Sequence, residues 1–216
     1  MAEQSVMEKL AAVGAILTND HFVFTSGRHG STYINKDAVY PHTSLTSELC
    51  HDIATRFRQK GIGAVIAPAV GGVILSTWIA HYLDNFIINH GIVEVLGLYA
   101  DKEGDDFVIK RGYDAFIPGR KILVVEDVLT TGGSVKKVID IVHALDGEVA
   151  GVGAICNRGG VTAEYLGVPE IYSLVNVDFD SNAEDECPLC KEGRPINTQV
   201  GKGREFLIRQ GKFITL

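Results

Sequence analysis

Lys121-Ile122-Leu123-Val124-Val125-Glu126-Asp127-Val128-Leu129-Thr130-Thr131-Gly132-Gly133-Ser134 is the stretch that decides the fold of this chain. It begins with an apolar, β-branched run that is typical of a buried strand and that ends in two adjacent carboxylates. Hydroxyl side chains and two glycines come next, and an apolar pattern with helical spacing predicts a helix from Gly133 onward. Because ligands of open parallel sheets bind beyond the carboxyl ends of the strands, this segment predicts a ligand site.

The same residues indicate the chemistry of the ligand. A turn of threonines and glycines can present successive backbone N–H groups at the start of a helix, and this arrangement suits a phosphate. Glu126 and Asp127 would repel a phosphate, so they must face hydroxyl groups or a cation. Vicinal sugar hydroxyls meet that requirement, because ionised carboxylates only accept hydrogen bonds. The sequence therefore predicts a sugar phosphate as the ligand.

The rest of the chain alternates between apolar strands and helices. We predict strands at 64–67, 93–99, 107–110, 121–126, 149–156 and 171–175, and helices at 4–16, 43–59, 73–88, 133–145 and 161–166. This alternation indicates an α/β fold with an open, mainly parallel sheet and helices on both faces. Two short alternating runs, 21–24 and 32–35, flank a turn-rich link and predict a small hairpin near the N-terminus.

Composition limits the classes of function. The 216 residues are 46% hydrophobic and 22% charged, which is usual for a globular protein. The 20 basic residues are outnumbered by 27 acidic ones, so a broad basic face for nucleic acid is not expected. The composition changes after Val177, so we predict a main domain over 1–177, with a small N-terminal hood over roughly 1–40. Residues 178–216 are predicted to form an irregular C-terminal extension.

One segment requires a test for membrane insertion. Residues 62–83 carry no Asp, Glu, Lys or Arg, and the segment is long enough to cross a bilayer. Pro68 and the pair Gly71-Gly72 interrupt it, so a buried strand, a tight loop and a covered helix are expected instead, without a membrane partner. The N-terminal residues lack a basic segment followed by an apolar one, so we expect a cytoplasmic protein.

Residues 121–134 pass from a strand through two acids and a loop into a helix. This order resembles the phosphoribosyl pyrophosphate (PRPP) signature of the type I phosphoribosyltransferases. The resemblance covers roughly 6–177, with the motifs in the same order, and is strongest to the orotate phosphoribosyltransferases. Residues 24–35 resemble that family's hood element, which helps to bind the pyrimidine. Ala69–Gly72 lie where the family has its pyrophosphate loop, and residues 98–103 lie where it has a mobile catalytic loop. Arg158 follows a strand at the place of an arginine that contacts orotate.

The resemblance implies the type I phosphoribosyltransferase fold and a transfer of the phosphoribosyl group of PRPP to orotate. The products would be orotidine 5′-monophosphate and pyrophosphate, a step of de novo pyrimidine biosynthesis. It also implies Mg²⁺ bound with PRPP and a homodimer whose active sites are shared between subunits. For catalysis the resemblance implies Lys102, Glu126 and Asp127. For PRPP it implies the same three residues with Val128, Leu129, Thr130, Thr131, Gly132, Gly133 and Ser134, and for pyrophosphate Ala69, Val70, Gly71 and Gly72. For orotate it implies Tyr33, Lys36, Thr130 and Arg158.

The chain departs from the family pattern at several cations. Thr25 and Val70 stand where many members have a lysine, and Lys102 is the one basic residue of the catalytic loop that can be matched. Arg28, Lys36, Lys110 and Arg111 could compensate. The base specificity therefore stays open, and a phosphoribosyltransferase for a purine or another base is an alternative. A non-catalytic PRPP-binding regulator is a second alternative, which the acidic charge balance disfavours.

The extension contains Cys187-Pro188-Leu189-Cys190, a spacing that is half of a zinc site or a redox pair. The sequence offers no second pair of this kind and no histidine close by along the chain. A metal site at Cys187 and Cys190 and a pair of free thiols both remain open.

Overall fold

The structure of the chain is a computed structural model that describes residues 2–87, 94–177 and 181–212. In chain order its elements are α1 (Glu3–Ala12), β1 (Ile16–Leu17), β2 (Phe22–Val23), β3 (His29–Gly30), β4 (Tyr33–Ile34), α2 (Thr43–Phe57), β5 (Ala64–Pro68), α3 (Val73–Ile87), β6 (Leu96–Glu103), β7 (Asp106–Val108), β8 (Lys121–Leu129), α4 (Gly133–Ala144), β9 (Glu148–Asn157), α5 (Ala163–Leu166), β10 (Ile171–Asn176), α6 (Pro188–Lys191) and α7 (Gly203–Arg209). Short 3₁₀ turns lie at Lys36–Ala38 and Tyr113–Phe116.

A six-stranded sheet forms the centre of the molecule, in the order β10-β9-β8-β5-β6-β7. Every neighbouring pair is parallel except β6 and β7, which form an antiparallel hairpin at one edge. The sheet confirms the predicted α/β fold with an open, mainly parallel sheet. The predicted strand at 93–99 begins at residue 93, and the predicted helix at 73–88 ends at residue 88. Both of these residues lie outside the described part of the chain.

The strands bury both of their faces. Val65 and Val125 pack into one apolar cluster together with residues of α1, α2 and α3. Ile66 and Val124 point the other way, into a second cluster with residues of α4 and α5. This alternation is what a strand covered on both sides requires, because successive side chains leave opposite faces of a sheet.

The predicted N-terminal hairpin has a different pairing from the one expected. The run at 21–24 pairs through β2 with β3, and the run at 32–35 pairs through β4 with β1. A tight turn decides this, because Phe24 N–H bonds to the Arg28 carbonyl at 2.8 Å and Gly27 takes a φ of +79°. The chain thus reverses directly after Phe24, and His29 becomes the partner of Val23. A His-Gly pair carries no strand pattern that could have revealed this.

The extension packs on the hood rather than standing apart. His29 and Asn182 exchange two backbone hydrogen bonds of 2.8 Å, and Lys202 N–H donates to the Val23 carbonyl. No helix in the described parts of the chain is long and apolar enough to cross a membrane. The uncharged segment 62–83 is divided into β5, a loop and α3, as predicted.

Candidate active site

Two acidic side chains near the end of β8 form the centre of the site. Asp127 is buried, with 5% of its side chain exposed, and its Oδ2 lies 2.8 Å from Lys36 Nζ. Tyr40 donates a hydrogen bond to the Gly71 carbonyl at 2.6 Å and lies 3.3 Å from the same Asp127 oxygen. Asp127 Oδ1 accepts the Val128 N–H at 2.7 Å. The carboxylate is therefore fixed by Lys36 and Tyr40 of the hood and by its own strand, and Tyr40 also ties the pyrophosphate loop to the hood.

The electrostatics of these groups follow from their burial and their proximity. Burial opposes the charge of Lys36, but the nearby Asp127 carboxylate raises the pKa of this lysine above its ordinary value. Burial and the charge of Asp127 both raise the pKa of Glu126 well above 4.5. Burial, with smaller effects of both acids, also raises the pKa of Tyr40. The Tyr40 phenol therefore stays a hydrogen-bond donor, and ionisation of Glu126 is costly until a ligand supplies donors or positive charge.

The predicted phosphate loop joins β8 to α4. Gly132 immediately precedes α4 with a φ of +75°, a conformation that favours glycine. A small cavity of about 40 Å³ lies in this turn and is lined by residues 128–135 with Glu126. Its size and its position at the N-terminus of a 12-residue helix suit one phosphate group.

Glycine is required at two close approaches around this site. A Cβ at Gly71 would overlap Asp127 Oδ2 and Lys36 Nζ, so the pyrophosphate loop passes directly over the ion pair. A Cβ at Gly159 would overlap the Thr130 carbonyl, so the loop after β9 lies directly against the phosphate loop. The backbone of both loops therefore approaches the ligand position more closely than any side chain would permit.

A larger cavity of about 410 Å³ lies beyond the ends of β5, β6, β8 and β9. It brings together most of the residues singled out in the sequence. Its lining comprises Phe24, Thr25, Tyr33, Ile34, Lys36, Pro68, Ala69, Val70, Gly71, Lys102, Phe107, Glu126, Asp127, Val128, Thr130, Ser134 and Arg158. Residues of all three predicted groups, for PRPP, pyrophosphate and orotate, thus share one cavity within a single chain. Four further PRPP residues, Leu129, Thr131, Gly132 and Gly133, line the adjoining small cavity instead, and Gly72 lines neither of the two.

Lys102 lies on strand β6, opposite Phe107 of β7, and not in a loop. The expectation that Lys102 lies in a loop is therefore wrong, because pairing with β7 extends β6 to Glu103, while the catalytic role of Lys102 stays a prediction. Two of the cations that could compensate for missing lysines are held by acids of the same strand, Lys110 by Glu103 at 2.9 Å and Arg111 by Asp101 at 3.6 Å. Lys102 lines the cavity and has no ion-pair partner within the described ranges.

Arg158 stands at the other side of the cavity, after β9. Its guanidinium lies 4.3 Å from the ring centre of Phe24 and also borders a second cavity of about 360 Å³. The side chain is half-buried, and no carboxylate among residues 2–87, 94–177 and 181–212 pairs with it. Arg28 lines the second cavity as well, but its Nε donates to Ser181 Oγ at 3.1 Å. A half-buried guanidinium without an anion is suited to bind an anionic ligand.

Sequence reasoning missed Tyr40 and two histidines. Tyr40 carries no sequence signal, because it reaches the acids only through the path of the hood. His21 and His29 meet Cys187 and Cys190, and the ligand atoms of these four residues lie within 4.8 Å of one another. The expectation that no histidine lies near the cysteine pair holds along the sequence but is wrong in space.

Comparison with known proteins identifies the family. The profile of the phosphoribosyl transferase domain matches residues 45–187. The chain belongs to the phosphoribosyltransferase family. The orotate phosphoribosyltransferase of Chlorobium phaeobacteroides is 36% identical over 205 residues, which are 95% of this chain and 99% of that protein. The orotate phosphoribosyltransferase of Desulforamulus reducens is 37% identical over 90% of this chain and 95% of its own length.

Solved phosphoribosyltransferase structures share the fold. The crystal structure of orotate phosphoribosyltransferase from Aeropyrum pernix has a TM-score of 0.62 and 26% identity, covering 79% of this chain and 93% of that one. An adenine phosphoribosyltransferase from Rhodothermus marinus has a TM-score of 0.57 and 20% identity, covering 81% of this chain and 99% of that one. Enzymes named for different bases therefore share this architecture, and the fold alone does not select the base.

Proposed function

We propose that this chain transfers the phosphoribosyl group of PRPP to orotate, giving orotidine 5′-monophosphate and pyrophosphate, through the residues of the 410 Å³ cavity. The observation that carries the choice of base is Arg158, a half-buried guanidinium that stacks on Phe24 without a carboxylate partner in the described residues. Orotate carries a carboxylate that a guanidinium binds through two charge-assisted hydrogen bonds. The names of the full-length relatives support the same substrate.

PRPP would lie across the carboxyl edge of the sheet. The turn from Thr130 to Ser134 would hold the 5′-phosphate with backbone N–H groups. Glu126 and Asp127 would accept hydrogen bonds from the ribose hydroxyls. The loop over 69–72 would hold the pyrophosphate. Lys36, which the family resemblance assigns to orotate, lies directly against Gly71 of this loop and would instead be a cation for the pyrophosphate. Each part of the substrate then has a partner of complementary chemistry in the cavity.

The donor set of the site also fits a magnesium ion. Asp127 Oδ2 is engaged by Lys36 and Tyr40, whereas the described contacts of Glu126 leave one carboxylate oxygen without a hydrogen-bond partner. Mg²⁺ prefers oxygen ligands and keeps several waters when it binds with substrate phosphates, so Glu126 would hold it through water. When bound, Mg²⁺ supplies positive charge that neutralises the pyrophosphate leaving group.

The reaction needs positioning and charge stabilisation more than covalent chemistry. A ring nitrogen of the base displaces pyrophosphate at the anomeric carbon, and positive charge develops on the ribose ring while negative charge develops on the leaving group. Lys102 would stabilise the departing pyrophosphate, and the acid pair would stabilise the positive ribose ring. Arg158 and Phe24 would hold orotate with its nitrogen toward that carbon.

A substrate panel tests this function against the alternatives. PRPP-dependent pyrophosphate release would be measured with orotate, uracil, adenine and hypoxanthine. We expect turnover with orotate alone, because the neutral bases leave the Arg158 guanidinium without a partner. Turnover with a purine or with uracil would overturn the base assignment. Binding of PRPP without turnover of any base would favour the regulator.

The homodimer, its shared sites and the cytoplasmic location remain predictions from the sequence. In this structure Lys102 lines the cavity of its own chain, whereas the family resemblance implies that it serves the neighbouring subunit. Light scattering would give the oligomeric state. Mixing Lys102→Ala protein with Asp127→Asn protein distinguishes shared from unshared sites. If the sites are shared, each hybrid dimer has one site with both residues intact, and activity returns. If each chain forms its own site, every site lacks one of the two residues and no activity returns.

A further inference from the structure

Four side chains that can each ligate a metal ion converge where the extension meets the hood. They are His21, His29, Cys187 and Cys190, and the first three are buried. Cys190 Sγ lies 3.3 Å from His29 Nδ1 and 3.7 Å from His21 Nε2, and Cys187 Sγ also lies 3.7 Å from His21 Nε2. The two thiols are not joined in a disulfide. This cluster is separate from the 410 Å³ cavity, none of whose lining residues belongs to it.

The distances match the edges of a small coordination tetrahedron. With Zn–S bonds of about 2.3 Å and Zn–N bonds of about 2.0–2.1 Å, the ligand atoms of a tetrahedral site lie about 3.3–3.8 Å apart. Three of the four sulfur–nitrogen distances are 3.3, 3.7 and 3.7 Å, and the fourth, between Cys187 and His29, is within 4.8 Å. The two ring nitrogens are 2.9 Å apart, so binding of an ion would require them to separate by a few tenths of an ångström.

Local structure orients the ligands toward a common centre. His21 Nδ1 lies 2.8 Å from the Arg194 carbonyl, so this nitrogen carries the proton and Nε2 presents its lone pair to the cluster. Cys187 immediately precedes α6, whose first residue is Pro188, and one turn of helix brings Cys190 back beside it. Without a metal ion the four atoms are joined by one hydrogen bond between the two rings and by contacts to thiols, which are weak donors and acceptors. A metal ion would instead bind all four atoms directly.

We propose that His21, His29, Cys187 and Cys190 bind one structural Zn²⁺ ion that ties the C-terminal extension to the hood. Two thiolates and two imidazoles in a tetrahedron form a ligand set that zinc prefers. Mutual separations within 4.8 Å leave room for a single ion and not for a two-iron cluster. Because the chain supplies all four ligands, no open position remains for substrate. Cys190 borders a cavity of about 650 Å³, which gives the ion a route from solvent.

The ion would have a structural consequence for the base-binding side of the active site. His21 immediately precedes β2 and His29 is the first residue of β3, so both belong to the hairpin whose turn carries Phe24. Phe24 in turn packs under Arg158. Fixing the hairpin to the extension would fix this wall of the cavity. The zinc site itself does not depend on the identity of the base or on the transferase activity.

Metal analysis of the full-length protein tests the proposal. Elemental mass spectrometry of protein purified without chelator should find about one Zn per chain and no stoichiometric iron. Cys187→Ser and Cys190→Ser should each lose the zinc, whereas Cys50→Ala, which alters a buried cysteine outside the cluster, should retain it. Removal of the metal by a strong chelator should lower the melting temperature of the wild-type protein and leave that of Cys190→Ser unchanged.

A spectroscopic measurement keeps the test valid if the serine variants fail to fold. Wild-type protein reconstituted with Co²⁺ should develop the intense d–d absorption of a tetrahedral ion and a thiolate-to-cobalt charge-transfer band. The proposal is wrong if wild-type protein purified from a zinc-supplemented culture contains no metal. This holds whether mass spectrometry then finds four free thiols or a Cys187–Cys190 disulfide. A cobalt spectrum without thiolate bands would overturn it as well.

Discussion

Lys36 Nζ and Asp127 Oδ2 lie 2.8 Å apart and join the hood to the carboxyl end of the central strand β8. Gly71 of the pyrophosphate loop passes directly over this pair, and the Tyr40 hydroxyl touches both the loop and the carboxylate. Three segments that are distant in sequence thus meet at one buried acid. The pair places a cation beside the predicted pyrophosphate position even though the loop itself has no lysine.

The first prediction concerns Asp127→Asn. We expect kcat/KM to fall by at least about a hundredfold, because the amide cannot neutralise Lys36 or stabilise a positive ribose ring. Loss of the Lys36 ion pair costs stability, but the amide keeps the size of the carboxylate and removes its repulsion with Glu126, so the variant should still fold cooperatively. Steady-state kinetics and thermal unfolding measure the two effects. A protein that loses several degrees of stability but keeps its activity would show that Asp127 is structural.

Lys102→Ala should lower kcat by about a hundredfold and change the KM for PRPP much less. The physical reason is that the lysine would act mainly on charge that develops on the leaving group in the transition state. Lys110→Ala is the matched control, since Lys110 is an exposed lysine of the same hairpin region that pairs with Glu103. Equal losses in the two variants, or none in either, would remove Lys102 from its proposed role.

Arg158→Ala should raise the KM for orotate roughly ten- to a hundredfold and leave the KM for PRPP nearly unchanged. This range corresponds to about 1.5–3 kcal/mol for a charge-assisted hydrogen-bonded pair. Arg56→Ala serves as the control, because Arg56 forms a surface ion pair with Glu170 and should affect neither constant. The base assignment fails if the Arg158 variant loses PRPP and orotate to the same extent.

Glu126→Gln should stabilise the ligand-free protein at neutral pH while lowering its activity. Burial and Asp127 raise the pKa of Glu126 above 4.5 in the folded state, so ionisation is harder there than in the unfolded chain. This destabilisation is absent below the unfolded pKa, accumulates as the pH rises from the unfolded pKa to the folded pKa, and stays constant above it. The gain in melting temperature from the variant should therefore be larger at pH 8 than at pH 5. A gain that does not depend on pH would exclude this explanation.

The sequence alone determined the sheet and its ligand edge. The strand at 121–126, the two acids, the glycine turn and the following helix are local signals, because strand burial, loop chemistry and helix start are all encoded in adjacent residues. The alternation of strands and helices then predicted an open, mainly parallel sheet, whereas the order of its strands came from the structure. The resemblance to the phosphoribosyltransferases named Lys36, Lys102, Arg158 and the pyrophosphate loop before any coordinates, but it did not give their mutual arrangement.

Only the tertiary structure decided which distant residues share a site. The ion pair of Lys36 with Asp127 and the contact of Tyr40 depend on the path of the hood, whose short alternating runs do not show how its strands pair. His21 and Cys187 are 166 positions apart in sequence, yet the turn after Phe24 and the packing of the extension bring them together. Local sequence patterns encode strands, turns and helix starts, whereas contacts between segments this far apart are set by how the whole chain packs.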